Sequence, residues 1–371
     1  MIYLHIPFCK QACHYCDFHF STSLRFKSEL LRSMELEIGQ RKNEWNHAPM
    51  QSIYFGGGTP GMIYNEELDS LIQTIRTTFP ISEHAEITLE SNPDDFQHDK
   101  ISAWVQSGIN RLSICIQSFR DADLKLLNRS HNAQEALSAV SKAKQAGINN
   151  ITIDLIYGIP GLSMEDWKKN LQQAVDLGIN HISSYCLTVE PKTALHHMVM
   201  KKEISAVEEE LASEQFLFMI EFLQKNGFIH YEISNFGKPN FFSRHNTAYW
   251  QGVPYIGIGP SAHSYDGKNR RWNVSNNKKY IDAIHAGSSY WEKEVLTGEI
   301  RYNEYIMTGL RTMFGVSEQE ILEQFGEEVL NHFRKEYVTL MHHFIIENER
   351  LLLKSESRLL ADKIASDLFI V

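Results

Sequence analysis

Gly147-Ile148-Asn149, running straight into Asn150-Ile151-Thr152-Ile153-Asp154-Leu155-Ile156-Tyr157, is a helix stop joined to a strand. Glycine after an amphipathic run can close a helix in the left-handed conformation. The β-branched run behind it reads as a buried strand. The same phrase stands at Gly108-Ile109-Asn110 and at Gly178-Ile179-Asn180. Working outward, strand candidates are Tyr3–Ile6, Ser52–Phe55, Ala85–Glu90, Arg111–Ile116, Ile151–Tyr157 and His181–Leu187. Between them lie helical patterns at Phe26–Gln40, Glu66–Thr78, Lys100–Ser107, Asn132–Ala146 and Met164–Leu177. This α/β rhythm predicts a parallel sheet of six βα units, curled into a partial barrel rather than lying flat.

In such a barrel, chemistry collects at the carboxyl ends of the strands. Cys9, Cys13 and Cys16 follow the first strand in the spacing C-x₃-C-x₂-C. With 5 cysteines in 371 residues, chance placement would give that pattern about 0.001 times per chain. One short loop offering three thiolates suits a [4Fe–4S] cluster and leaves one iron open to a small molecule. The plainer alternative is a structural zinc site, but zinc wants four closed ligands, commonly as two separated pairs. No second pair exists, since Cys115 and Cys186 stand alone; His5, His14 or His19 would have to complete a Cys₃His set.

Gly56-Gly57-Gly58-Thr59 follows the second strand, where missing side chains let backbone groups approach a ligand. The run lacks both the G-x-G-x-x-G of a dinucleotide fold and the lysine of a P-loop, and a tight turn would use it equally well. Glu90 and Asp154 are carboxylates at or near strand ends, fitted to a ribose hydroxyl or an amine. Gln117 could read an adenosine edge, and Arg129 could meet a carboxylate in bidentate fashion. Glu90, Asp154 and Arg129, taken singly, are each more often an ordinary ion pair.

Beyond residue 200 the βα rhythm stops. A helix over Ala206–Lys225 leads to a strand at Ile229–Ile233, then to a stretch rich in Gly, Asn and aromatics. There, Arg244-His245-Asn246-Thr247-Ala248-Tyr249-Trp250 would place His245 and Tyr249 on one helical face, with Trp250 beside them. Neutral imidazole is a good haem ligand, and aromatic side chains can cover a porphyrin; an aromatic packing surface would look alike. Gly257–Ser264 forms another close backbone approach, expected to return the chain over the barrel mouth. From Tyr302 on, short helices and the apolar run Phe344–Leu353 predict a small α+β module of winged-helix type.

Composition bounds the function. A net charge of −10 argues against a nucleic-acid surface. Five cysteines arranged as three plus two point to a reducing, cytoplasmic setting rather than a disulfide framework. The chain as it stands predicts no signal peptide and no membrane span, and leaves peripheral membrane contact open.

Taken together, IPFC-x₃-C-x₂-CDF (Ile6–Phe18), YFGGGTP (Tyr54–Pro60), LESNP (Leu89–Pro93), NRLSICIQSF (Asn110–Phe119), DLIYGIPG (Asp154–Gly161), Tyr185–Thr193, His245–Trp250 and GIGPSAHS (Gly257–Ser264) resemble the radical S-adenosylmethionine superfamily. More closely, they resemble the branch holding oxygen-independent coproporphyrinogen III oxidase and the HemW-type haem chaperones. The resemblance implies a three-quarter (β/α)₆ barrel over about residues 1–200, a connecting region at 201–300, and a C-terminal domain at 301–371. It implies cluster ligands Cys9, Cys13 and Cys16. It implies S-adenosylmethionine contacts at Tyr3, Tyr15, Gly57, Gly58, Thr59, Glu90, Gln117, Arg129 and Asp154, extended to Cys186 and His263. A haem site at His245, Asn246, Tyr249 and Trp250 also follows from it.

Two departures separate the branches. The oxidases carry a cysteine where this chain has Phe18, and a long N-terminal extension before the first strand. H-N-x-x-Y-W marks the chaperone branch, and all four fixed residues are present. The expectation is therefore a haem chaperone with a cluster, S-adenosylmethionine, haem-accepting apoproteins and an electron donor as partners. The rivals are coproporphyrinogen III decarboxylation and a zinc-stabilised binding module. Cys115 stands where relatives usually have glycine, and reads as a small buried thiol.

Overall fold

A computed structural model describes residues 1–45 and 48–371. Six parallel strands run in chain order: β1 (Ile2–Ile6), β2 (Met50–Gly57), β3 (Ile81–Ser91), β4 (Arg111–Gln117), β5 (Asn150–Tyr157) and β6 (His181–Cys186). The helices α1 (Lys27–Gln40), α2 (Asn65–Thr78), α3 (His98–Ser107), α4 (Asp121–Leu126), α5 (Ala133–Gln145) and α6 (Met164–Asp176) connect them. Gly108, Gly147 and Gly178 end three of these helices with φ of 97°, 90° and 61°, the left-handed stop that the repeated phrase encodes.

Strand periodicity decides which face is which. Ile53, Phe55, Leu112, Ile114, Ile151 and Ile153 are fully buried in one apolar core with the helices. The alternate positions carry Ser52, Tyr54, Glu86, Glu90, Arg111, Ser113, Thr152, Asp154, His181 and Ser183. These meet across the strands on the inner face: Tyr54 with Glu90, Ser113 with Asp154, Thr152 with His181. The barrel therefore has an apolar outside under its helices and a polar lumen. Burial of so many polar groups is tolerable because most of them hydrogen-bond to one another; Arg111 instead has its Nε 3.9 Å from the Glu86 carboxylate.

The barrel stays open. β6 pairs antiparallel with β8 (Asn235–Gly237), which pairs with β7 (Ile229–Glu232); β1 pairs parallel with β9 (Ile256–Ile258). Two further helices, α7 (Ala194–Met200) and α8 (Glu209–Lys225), precede these strands, and α9 (Arg244–Trp250) lies against β2. The Gly257–Ser264 stretch, expected over the mouth, first enters the sheet itself. Glu37 of α1 accepts from the Gly259 amide at 2.8 Å and Arg41 donates to the Gly257 carbonyl at 2.6 Å, tying the return to the first helix. The chain then reaches the mouth through β10 (His263–Tyr265), which forms an antiparallel sheet with β11 (Asn269–Asn273) and, past α10 (Asn277–Ala286), β12 (Trp291–Val295).

A second apolar core begins at Tyr302 and includes Ile306, Val316, Phe333 and Leu351. It is built by α11 (Gly298–Leu310), α12 (Glu318–Phe325), α13 (Glu327–Leu340), the hairpin β13 (Phe344–Glu347) and β14 (Arg350–Leu353), and α14 (Ala361–Asp367). Three helices followed by a hairpin is the winged-helix order. Asn348 and Glu349, with φ of 49° and 63°, make the two-residue turn of that hairpin.

Candidate functional site

The cysteine loop leaves β1 and is pinned from three sides. Gly58 donates to the Ile6 carbonyl at 2.9 Å and Thr59 to the Phe8 carbonyl at 2.7 Å, so the glycine run after β2 grips the start of the loop. A β-carbon on Gly58 would come within 2.7 Å of the Phe8 carbonyl oxygen, which is why that approach demands glycine. His14 donates to the Leu127 carbonyl at 3.1 Å and accepts from Leu195 of α7 at 2.7 Å. Arg129, half-buried after α4, donates from Nη1 to the Cys13 sulfur at 3.1 Å and to the Tyr15 hydroxyl at 3.4 Å, and from Nη2 to Asn92 Oδ1 and the Cys115 carbonyl at 2.7 Å each.

Cys9, Cys13 and Cys16 are unpaired and half-buried in this frame. Burial pushes the Cys9 thiol up to about 11, against a hydrogen bond from Thr59, so the thiol keeps its proton until a metal displaces it. Among the described residues, no three His, Cys, Asp or Glu side chains converge as ligands to one ion would. A cubane asks for less convergence, because each thiolate takes a different iron. Three soft donors on one loop, an arginine beside them and a glycine cradle behind fit an iron–sulfur cluster with an open corner.

A cavity of about 420 Å³ opens beside the loop at the carboxyl end of the strands. Tyr3, Gly57 and Glu90 line it from β1, β2 and β3; Tyr249 comes from α9 and His263 from β10, and Phe18 stands at its edge, 70 % exposed. Glu90 accepts from the Tyr54 hydroxyl at 2.7 Å and from the Gly57 amide at 3.2 Å. Burial nevertheless raises its carboxyl to about 7, and raises that of Asp154, which takes hydrogen bonds from Cys115 and Ser183, to about 6. Of the two, Glu90 stands at the wall of the cavity, suited to accept from a polar ligand.

Folding lifts Glu90 above its ordinary 4.5, so the native state binds that proton more tightly than the unfolded chain. Stability from this group is fully present at acid pH and is lost as pH rises from about 4.5 through 7. Glu90→Gln is therefore expected to stabilise cluster-free protein at pH 8 by on the order of 1–2 kcal/mol, seen as a raised melting point, with little gain at pH 5. An equal gain at both pH values in calorimetry would show that charge is not the cause.

The remaining expected residues lie as follows. Tyr15, Gly58, Thr59 and Arg129 gather at the cysteine loop. Gln117 closes β4, 6 % exposed and with φ of 71°, at the register shift where β4 meets β5. Asp154 lies midway along β5, and Cys186 ends β6 with its thiol exposed.

The seven-residue helix α9 is set by the barrel. Ser243 caps it, and the Glu86 carboxylate accepts from the backbone amides of Arg244 and His245 at 3.1 Å each. His245 and Tyr249 share a face, as their spacing predicts. The histidine ring is turned inward, 1 % exposed, with Nδ1 2.8 Å from Ser52 Oγ and Nε2 3.1 Å from the Tyr249 hydroxyl. Burial lowers its pKa to about 3, so the ring is neutral. Asn246 and Trp250 are half-buried on the same helix.

Tyr54 and Tyr255 escaped the sequence reading, and His5 entered it only as a candidate zinc ligand. Tyr54 orients Glu90; Tyr255 packs edge-on against Tyr249 at 4.7 Å. His5 lies 3.1 Å from the Tyr3 hydroxyl and 2.9 Å from the His19 carbonyl, lowered by burial to about 4. Tyr54 and His5 stand on the inner face of their strands, and strand periodicity carried that signal.

Residues 3–174 match the Radical SAM superfamily. Proteins named "Heme chaperone HemW" are 32 % identical in Bacillus subtilis, over 98 % of this chain and 97 % of that one, and 32 % identical in Mycobacterium tuberculosis, over 99 % and 94 %. A solved structure, coproporphyrinogen III oxidase (HemN) from Escherichia coli, superposes with a TM-score of 0.86 over 99 % of this chain and 89 % of that one, at 21 % identity, a likeness of fold. No helix among the described residues is long and apolar enough to cross a membrane. With its open barrel of six βα units, its three-cysteine loop and these relatives along nearly its whole length, the chain belongs to the radical SAM superfamily and, within it, to the HemW family.

Proposed function

We propose that this protein is a haem carrier on a radical-SAM barrel, with haem as its cargo. Cys9, Cys13 and Cys16 hold a [4Fe–4S] cluster through three irons, and S-adenosylmethionine takes the fourth. When bound and reduced, that pair supplies a route to a 5′-deoxyadenosyl radical, the hard chemistry that the cofactor rather than the protein carries. Around it, Arg129 and Tyr15 hold the charged end of S-adenosylmethionine beside Cys13. Gly57, Gly58 and Thr59 give close backbone approach, Tyr3, Glu90, Gln117 and Asp154 meet the adenosyl and amino groups, and Cys186 and His263 stand at the rim. Haem docks against α9, at His245, Asn246, Tyr249 and Trp250, and passes to an acceptor apoprotein; a cytosolic electron donor serves the cluster. Functionally, the chain divides into the barrel to residue 200, a connecting region to 300 and a C-terminal domain.

One observation carries this reading. Tyr3, Gly57 and Glu90 of the barrel mouth share a single cavity with Tyr249 of the H-N-x-x-Y-W helix, so cofactor and cargo would lie against each other. The names borne by the relatives support it.

The test uses the full chain, reconstituted anaerobically and loaded with haem. Mixed with apomyoglobin, it is expected to hand over most of its haem, seen as a shift of the Soret band. Given coproporphyrinogen III, reductant and S-adenosylmethionine, it is expected to form no vinyl product. Sustained vinyl formation without haem transfer would replace the carrier with an oxidase.

A further inference from the structure

His245 has the chemistry of an iron ligand, but its ring does not reach the cavity. Its two nitrogens are engaged by Ser52 and Tyr249, and the rings of Tyr3 and Tyr54 stand 6.4 and 5.0 Å from its own. The residue of α9 that lines the cavity is Tyr249. Its ring is clamped edge-on between His245 at 4.9 Å and Tyr255 at 4.7 Å, with interplanar angles of 89° and 88°. Those contacts fix the phenol ring of a cavity-lining residue with its oxygen 3.1 Å from the buried imidazole.

We propose that the atom of this chain that bonds the iron of ferric haem is the phenolic oxygen of Tyr249, as tyrosinate. His245 is then a positioning residue that donates from Nε2 to that oxygen. The proposal rests on the haem reading above and names the ligand within it. With the Ser52 hydroxyl donating to Nδ1, the imidazole carries its hydrogen on Nε2 and stays neutral. The phenol oxygen accepts that hydrogen and turns its own O–H toward the cavity. Ligation forms one Fe–O bond and breaks one O–H bond; the proton leaves to water and the iron stays ferric, so no electron moves. Tyrosinate is an established type of haem ligand, and a donor held against the bound oxygen tunes the bond as an outer partner does in other metal sites. His263, exposed on the cavity wall and stacked on Trp272 at 6.2 Å, is a rival ligand, and His5 and His19 also line the cavity.

The experiment titrates the full chain with hemin and records absorption and resonance Raman spectra. Wild type is expected to show a phenolate-to-iron charge-transfer band with tyrosinate ring modes. Tyr249→Phe, which keeps the ring packing, is expected to lose both and to release hemin at least tenfold faster. His245→Ala is expected to shift the band, and His245→Gln, which retains a donor, to shift it less. An imidazole-ligated spectrum in wild type, whether it vanishes in His245→Gln, His263→Ala or His19→Ala, would overturn the assignment while leaving the carrier function standing. Failure of wild type to bind hemin at all would overturn both.

Discussion

Cys13→Ser is expected to assemble almost no cluster. Serine is nearly the same size, but its hydroxyl is a hard, weakly acidic donor where a soft thiolate is needed, so one iron loses its anchor. Cys13 is the informative choice of the three, because its sulfur is the one that Arg129 approaches, at 3.1 Å. Anaerobic reconstitution followed by iron and sulfide assay should give about four of each per wild-type chain, and at most a tenth of that in the variant. Cys115→Ala, whose thiol faces Asp154 rather than the loop, is the control and should retain its iron. A variant at Cys13 with full sulfide content would mean that the loop is not the cluster site. The protein fold itself should survive the exchange, since the loop is also held by backbone hydrogen bonds from Gly58, Thr59 and His14.

Gly257→Ala is expected to be the most destabilising small substitution in the chain. A β-carbon there would overlap the carbonyl oxygen of His263 and stand 2.8 Å from its carbonyl carbon and 3.0 Å from its nitrogen. These are backbone atoms and cannot swing aside like a side-chain tip. Gly257 also pairs with Tyr3 of β1, donates to Ser264 Oγ at 2.9 Å and accepts from Arg41 at 2.6 Å. Relief of the clash would therefore drag β9 away from β1 and disturb the cavity wall at His263. The expected cost is about 4 kcal/mol, a fall of roughly 5 °C in Tm, measured by calorimetry on cluster-free protein. Gly298→Ala, with no atom within 4 Å of the added methyl and a place in the first turn of α11, should be neutral or stabilising. Similar losses for both would show that the close approach at Gly257 is not what the glycine serves.

Much of the site was legible because it is local. The cysteine spacing, the glycine run and the helix-ending phrases each depend on residues within one loop, and short-range sterics leave them few alternatives. The shared face of His245 and Tyr249 follows from helical pitch alone. The C-terminal run Phe344–Leu353 carried its turn at Asn348-Glu349, residues that tolerate positive φ unequally, so composition alone did not reveal the hairpin.

The amino-acid sequence by itself determined the order of strands and helices, the loop that offers three sulfurs, and the helix that bears the H-N-x-x-Y-W residues. Only the tertiary structure decided which member of that helix meets the cavity. His245 turns inward because Ser52, 193 residues away, and Glu86, 159 residues away, hold its ring and its backbone, and Tyr249 is left facing the open space. Helical periodicity sets which residues share a face, but contacts between distant strands set where that face points.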